Sequence, residues 1–199
     1  TDEARKQGAN VTAQIACRPT GLVLGWQSTV HPFIAHPAYQ EIAHLPFAER
    51  LKELKDPARR AKILNDTPRE MGPLGHILTQ GFDRMSRLEN GGGLEYEPGA
   101  DDSVAALAKK TGQQPQAIVY DMLMEKDGRG YVYLPLLNYA MCNFDHMHGM
   151  MRPPATVLSR SDGGAHCGGI CDASFPTYML THWVRGRSRG ERLSLEEVV

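Results

Sequence analysis

An α/β fold is predicted by three features of the chain. A short helical stretch, Asp2 to Gln7, stops at Gly8 and gives way to the alternating run Val11, Ala13, Ile15, Cys17; helix, glycine, then strand is the joint of α/β proteins. A second strand, Ala155-Thr-Val-Leu-Ser159, follows Pro153-Pro154 and runs into Ser161-Asp-Gly-Gly-Ala-His166. Behind that turn, Phe175 to Val184 reads as a helix with Pro176 in its first turn, where a missing N–H costs nothing.

The elements follow in chain order. Arg18-Pro-Thr-Gly21 closes the first strand with turn residues. From His31 to Gly93 six prolines, Pro32, Pro37, Pro46, Pro57, Pro68 and Pro73, punctuate short charged helices. Pro46 suits position N1 of a helix carrying Phe47, Leu51 and Leu54 on one face. Asp56 caps the next piece, with Pro57 at N1. Thr67-Pro-Arg-Glu70 has the form of a capping box. Such a run reads as an insertion or lid, and Asn90-Gly-Gly-Gly93 as a flexible break. Asp102 can cap SVAALAKKT, which Gly112 ends; Pro115 opens QAIVYDMLME, which stops at Asp127-Gly-Arg-Gly130. Tyr131-Val-Tyr133 suggests a short strand, and 134–154 reads as irregular. Near the other terminus Ser194-Leu-Glu-Glu197 is a capping box that starts a helix. A helix tail at one end and a helix start at the other lead us to expect a segment from the interior of a longer protein.

Composition limits the function classes. Lys and Arg total 22 against 23 Asp and Glu, a net charge of −1. That balance argues against nucleic-acid binding and against a polybasic membrane-surface protein. No run approaches ~18 consecutive apolar residues, and TDEARKQG has no apolar signal core, so neither a membrane span nor a leader is expected. The four cysteines, Cys17, Cys142, Cys167 and Cys171, are too few and scattered for a disulfide scaffold. Reduced thiols in a cytoplasmic protein are the plain reading. The 20 glycines and 13 prolines predict a chain rich in loops.

Asp162 holds the position where chemistry sits in α/β sheets and barrels, just past the C-terminal end of a strand. There a carboxylate can bind a metal or act as a general base. Local features alone favour a turn-forming or capping aspartate. His146-Met-His148 has a spacing usable by zinc on a strand, but its setting reads as a loop. His166, Cys167 and Cys171 lack a convincing fourth ligand, and a thiol nucleophile at Cys167 or Cys171 would need a partner that sequence does not reveal.

The run ATVLSRSDGGAHCGGICDASFPTYMLTHWVR at 155–185 resembles the N-acyl-D-amino-acid deacylases of the amidohydrolase superfamily. So do NVTAQIACRPTG near the start, STVHPF at 28–33 and the helix pair at 102–125. The resemblance implies part of a metal-dependent (β/α)8 TIM-like barrel. Residues 10–17 would be strand seven and 155–161 strand eight, with a long, largely helical insertion between them. It divides the chain into a barrel segment at 1–30, an insertion or lid at 31–101, and helices, strand eight and its following helix at 102–199. It makes Asp162 the catalytic and metal-touching residue, with Ser161, Gly163 and His166 as substrate-binding candidates. The implied chemistry is zinc-assisted hydrolysis of an N-acyl-D-amino acid to a carboxylate and a free D-amino acid, Asp162 passing a proton from water to the leaving amine. The family's other zinc ligands lie upstream of this stretch, so the isolated segment is expected to be inactive and to self-associate or pack with the missing barrel portion. Arg160 departs from the small or apolar residue expected there, and by alternation shares a face with Leu158 and Asp162. The alternative is a non-catalytic binding or assembly module derived from such an enzyme.

Overall fold

The computed structural model describes residues 2–90, 93–152, 154–158, 168–170 and 172–199. In chain order the elements are α1 (Asp2–Lys6), β1 (Ala13–Ile15), β2 (Gly21–Leu24), α2 (Pro37–Gln40), α3 (Phe47–Lys55), α4 (Pro57–Asn65), α5 (Gly72–Gln80), β3 (Ser86–Arg87), β4 (Glu89–Asn90) and β5 (Gly93–Leu94). They continue with α6 (Val104–Thr111), α7 (Pro115–Gly128), β6 (Val132–Pro135), α8 (Asp145–Met151), β7 (Thr156–Leu158), α9 (Phe175–Tyr178) and α10 (Leu195–Val198). The fold is mixed α/β. Two compact units divide it: Thr1–Gly21 with Pro135–Val199, and Leu22–Leu134.

The unit built from both chain ends is centred on a parallel pair. β1 lies beside β7 with Ala13 opposite Thr156, Gln14 opposite Val157 and Ile15 opposite Leu158. Alternation puts Ala13, Ile15, Thr156 and Leu158 on one half-buried face, and Gln14 and Val157 on the exposed one. Trp183, fully buried, ties the pair to the C-terminal segment: its Nε1 donates to the Cys17 carbonyl at 2.6 Å. Phe144 stacks on Trp183 at 5.6 Å, His148 at 6.0 Å, and the Arg187 guanidinium sits 4.8 Å from the ring centre. Arg187 is itself buried, and donates to Asp145 at 2.7 Å and to the Glu191 carbonyl at 2.6 Å.

The 22–134 unit combines a three-stranded sheet, ordered β2–β6–β3, with the six helices α2 to α7. Its hub is Trp26, with Phe33 and Tyr39 stacked at 5.4 and 5.6 Å and Tyr120 and His31 edge-on at 5.2 and 5.0 Å. The Tyr120 hydroxyl donates to the Leu54 carbonyl at 2.8 Å, so its burial leaves no orphan donor.

Several local expectations are met for the expected reasons. Gly8 has φ +88° and Gly112 φ +73°, the left-handed backbone that ends α1 and α6. Asp56 caps α4 through the amides of Ala58 and Arg59. Ser194 and Glu197 form their capping box. Others are corrected. The box at Thr67–Glu70 does not form: the Arg69 amide is taken by the Ala35 carbonyl, and Pro73 sets the start of α5. Ser103 rather than Asp102 caps α6, because the Asp102 carboxylate is engaged by the Gly99 amide one turn earlier. Pro46 precedes α3 as its cap residue. The stretch read as irregular holds α8, and Gly21–Leu24 is a strand. The helix at 175–184 is regular only to Tyr178 and then widens into π turns from Met179 to Gly186. No helix among the described residues is long and apolar enough to cross a membrane.

His31 gives this unit a built-in acid sensitivity. Burial, and then the charges of Arg50 and His36, push its imidazole down from 6.5 to about 3. The unfolded chain therefore takes up a proton near pH 6.5 that the folded chain refuses until about pH 3. Stability contributed by the neutral ring is complete above the unfolded value and is lost as pH falls through that window. Thermal unfolding should show a drop in Tm between pH 7 and pH 4 that is clearly smaller in His31→Phe. An equal drop in both proteins would contradict the assignment.

Candidate active site

Two adjacent strand ends define the place. Because β1 and β7 run parallel, Ile15 and Leu158 lie side by side at their C-terminal ends. Past Ile15 the chain continues through Ala16 to Cys17 and Arg18, both buried. Past Leu158 it enters the stretch that contains Asp162. Ser161, Asp162, Gly163 and His166, with Arg160, Cys167 and Cys171, lie outside the described residues.

The described surroundings are apolar and carry one compensated charge. Arg18 is only 2% exposed and its Nη2 is 3.6 Å from Asp172 Oδ1, itself 8% exposed. The guanidinium also sits over two rings, 5.1 Å from the centre of Phe175 and 5.6 Å from that of Tyr178. These contacts let a cation remain dry: the carboxylate balances its charge, and the ring faces present their negative side. Cys17 Sγ donates to the Phe175 carbonyl at 3.5 Å. Burial pushes the Cys17 thiol up to about 12, against the opposing pull of Arg18. A thiol held protonated in this way is a packing group and not a nucleophile.

Sequence reading missed Arg18 and Asp172. Arg18 was legible as an arginine straight after an alternating strand, at the end where α/β proteins do chemistry. Its partner was not legible, since nothing in the sequence joins two residues so far apart. The histidines of His146-Met-His148 are both described and do not converge. They lie on α8, where positions i and i+2 face apart. His146 is exposed, while His148 is buried against Trp183 with Nδ1 3.8 Å from Glu191 Oε2. Among the described residues no three His, Cys, Asp or Glu side chains gather as a metal would require. The described residues therefore do not supply a zinc ligand set.

No known protein family, curated protein or solved structure matches the chain.

The Arg18–Asp172 pair predicts a non-additive response. Arg18→Met strands a buried carboxylate and should cost about 3 kcal/mol, the usual penalty for breaking a buried pair. Adding Asp172→Leu should restore at least half of that loss. Urea unfolding followed by Trp183 fluorescence in a Trp26→Phe background reads this unit alone. Additive losses in the double variant would mean that the two charges do not interact.

Proposed function

We propose that these 199 residues are a segment of a metal-dependent amidohydrolase that hydrolyses N-acyl-D-amino acids to a carboxylate and a free D-amino acid. In this reading β1 and β7 are strands seven and eight of a partial (β/α)8 barrel. The observation that carries it is their parallel pairing, in register from Ala13–Thr156 to Ile15–Leu158. Consecutive barrel strands are parallel neighbours, and their C-terminal ends build the active site. Parallel pairing brings the strand leading to Asp162 beside the strand leading to Arg18. An antiparallel pair, or pairing with another strand, would have spoken against the barrel.

Asp162 is the residue of this chain that takes the proton from the attacking water and delivers it to the leaving amine. That is general base and then general acid work by one carboxylate at one site. Zinc, when bound, would polarise the acyl carbonyl and acidify the water. Asp162 is its one ligand from this chain, and the remaining ligands come from outside it. Ser161, Gly163 and His166 flank the substrate. The protein is cytoplasmic and takes a small N-acyl amino acid rather than nucleic acid or membrane.

Packing with the rest of a barrel is supported by the sheet itself. Parallel sheets are normally covered on both faces, yet Val157 is 48% exposed in a sheet of only two strands among the described residues. The chain alone should release no amino acid from N-acetyl-D-amino acids, with or without zinc. A chimera in which it replaces the corresponding part of a zinc-dependent N-acyl-D-amino-acid deacylase should release the D-amino acid. Asp162→Asn should lower that turnover by about 10²–10⁴-fold, the usual contribution of a positioned acid–base group. A folded chimera that is inactive, or one indifferent to Asp162→Asn, would contradict the reading.

A further inference from the structure

The 22–134 unit carries a cavity of about 570 Å³, lined by residues of the segment 67–71 and of α5. That volume lies in the range of small-molecule sites. The backbone fixes its shape. The Arg69 amide donates to the Ala35 carbonyl at 2.9 Å, which pins the segment to the body of the unit. Gly72 turns the chain into α5 with φ +71°. Gly75 is buried, and a Cβ there would lie 2.1 Å from Met71 Cβ, so only glycine lets the segment fold back this closely on the helix. Buried Thr79, also on the lining, is satisfied internally: its Oγ1 donates to the Gly75 carbonyl at 2.9 Å.

The walls hold charges that no neighbour uses. Arg69, Glu70 and His76 all line the cavity and are exposed, and none of the three side chains has a hydrogen bond or ion pair among the described residues. By contrast, Arg59, Arg60 and Lys62 on α4 each pair with a carboxylate. A guanidinium only donates and a carboxylate only accepts. A simple anion would meet the Glu70 charge, and a simple cation that of Arg69. A ligand that uses both carries both signs: a carboxylate for the Arg69 fork and an ammonium for Glu70. Met71, 44% exposed, adds an apolar wall with Pro68 and Pro73, which suits a hydrocarbon part of the same ligand.

We propose that this cavity binds a free α-amino acid with an apolar side chain, its carboxylate on Arg69 and its ammonium on Glu70. The site is independent of the amidohydrolase reading.

The test uses the whole chain and L-phenylalanine at constant pH. The ring resonances of His76, assigned by their loss in His76→Gln, should shift saturably within about 10 mM phenylalanine. The Trp183 indole N–H, bonded to the Cys17 carbonyl, should not move. Phenylpropionate, which lacks the ammonium, and phenethylamine, which lacks the carboxylate, should each bind at least about tenfold more weakly. Arg69→Met should weaken phenylalanine about tenfold and leave phenethylamine unchanged. Glu70→Gln should weaken phenylalanine to a similar degree and leave phenylpropionate unchanged. Both positions are exposed, so both variants should fold. A His76 ring that ignores phenylalanine, a one-charge analogue that binds as well, or a response unchanged by either variant would overturn the proposal.

Discussion

A three-residue parallel pairing holds together a unit made from opposite ends of the chain. β1 and β7 meet across an excursion of well over a hundred residues, and a whole second unit folds within it. Hydrogen bonds over so short a ladder contribute little net free energy. The pairing persists because burial beside it is large. Trp183 is fully enclosed, accepts stacking from Phe144 and His148, and reaches back to the Cys17 carbonyl. Cys17 in turn contacts the Phe175 carbonyl, so the end of β1 is gripped by the segment that follows β7. Two strands and two side-chain anchors thereby fix one geometry. The direction of that geometry, parallel and not antiparallel, is what gives the functional reading its footing.

Buried ionisable groups are handled differently in the two units: by pairing in the unit of the chain ends, by neutrality at His31 in the 22–134 unit. Arg18 pairs with Asp172 under aromatic rings, and Arg187 pairs with Asp145 over Trp183. Each keeps a cation dry at modest cost, since a carboxylate and a ring face share its field. His31 follows the other route and stays neutral, chiefly because it is buried and secondarily because the Arg50 charge lies near it. Surface pairs are a different matter. Arg59 with Glu41 at the end of α2 and Glu53 on α3, and Arg60 with Asp121 on α7, are pairs open to solvent on at least one side and contribute little apiece.

Much of the local architecture was legible from residues whose effect is local. Asp56 followed by Pro57, the Ser194–Glu197 box, Gly8 and Gly112 act on backbone groups within one turn, and tertiary context had no reason to override them. The errors came where a competing partner existed. Asp102 could have capped α6 but found the Gly99 amide, and the Arg69 amide went to Ala35. α8 escaped notice because Asp145, His146, His148 and Gly149 are poor helix formers within seven residues; what holds it is the burial of Met147 and His148. The candidate site was legible only in part. Asp162 follows from its place after a strand, but Arg18 and Asp172 become a pair only once the fold has brought them together.

The central claim is that β1 and β7 are parallel neighbours with Gln14 opposite Val157. Cross-strand nuclear Overhauser contacts in the isotopically labelled chain test it most directly. The account predicts contacts between Gln14 and Val157, with the pairs Ala13–Thr156 and Ile15–Leu158 advancing in the same sense. Contacts running in the opposite sense, or a partner for residues 13–15 other than 156–158, would contradict it.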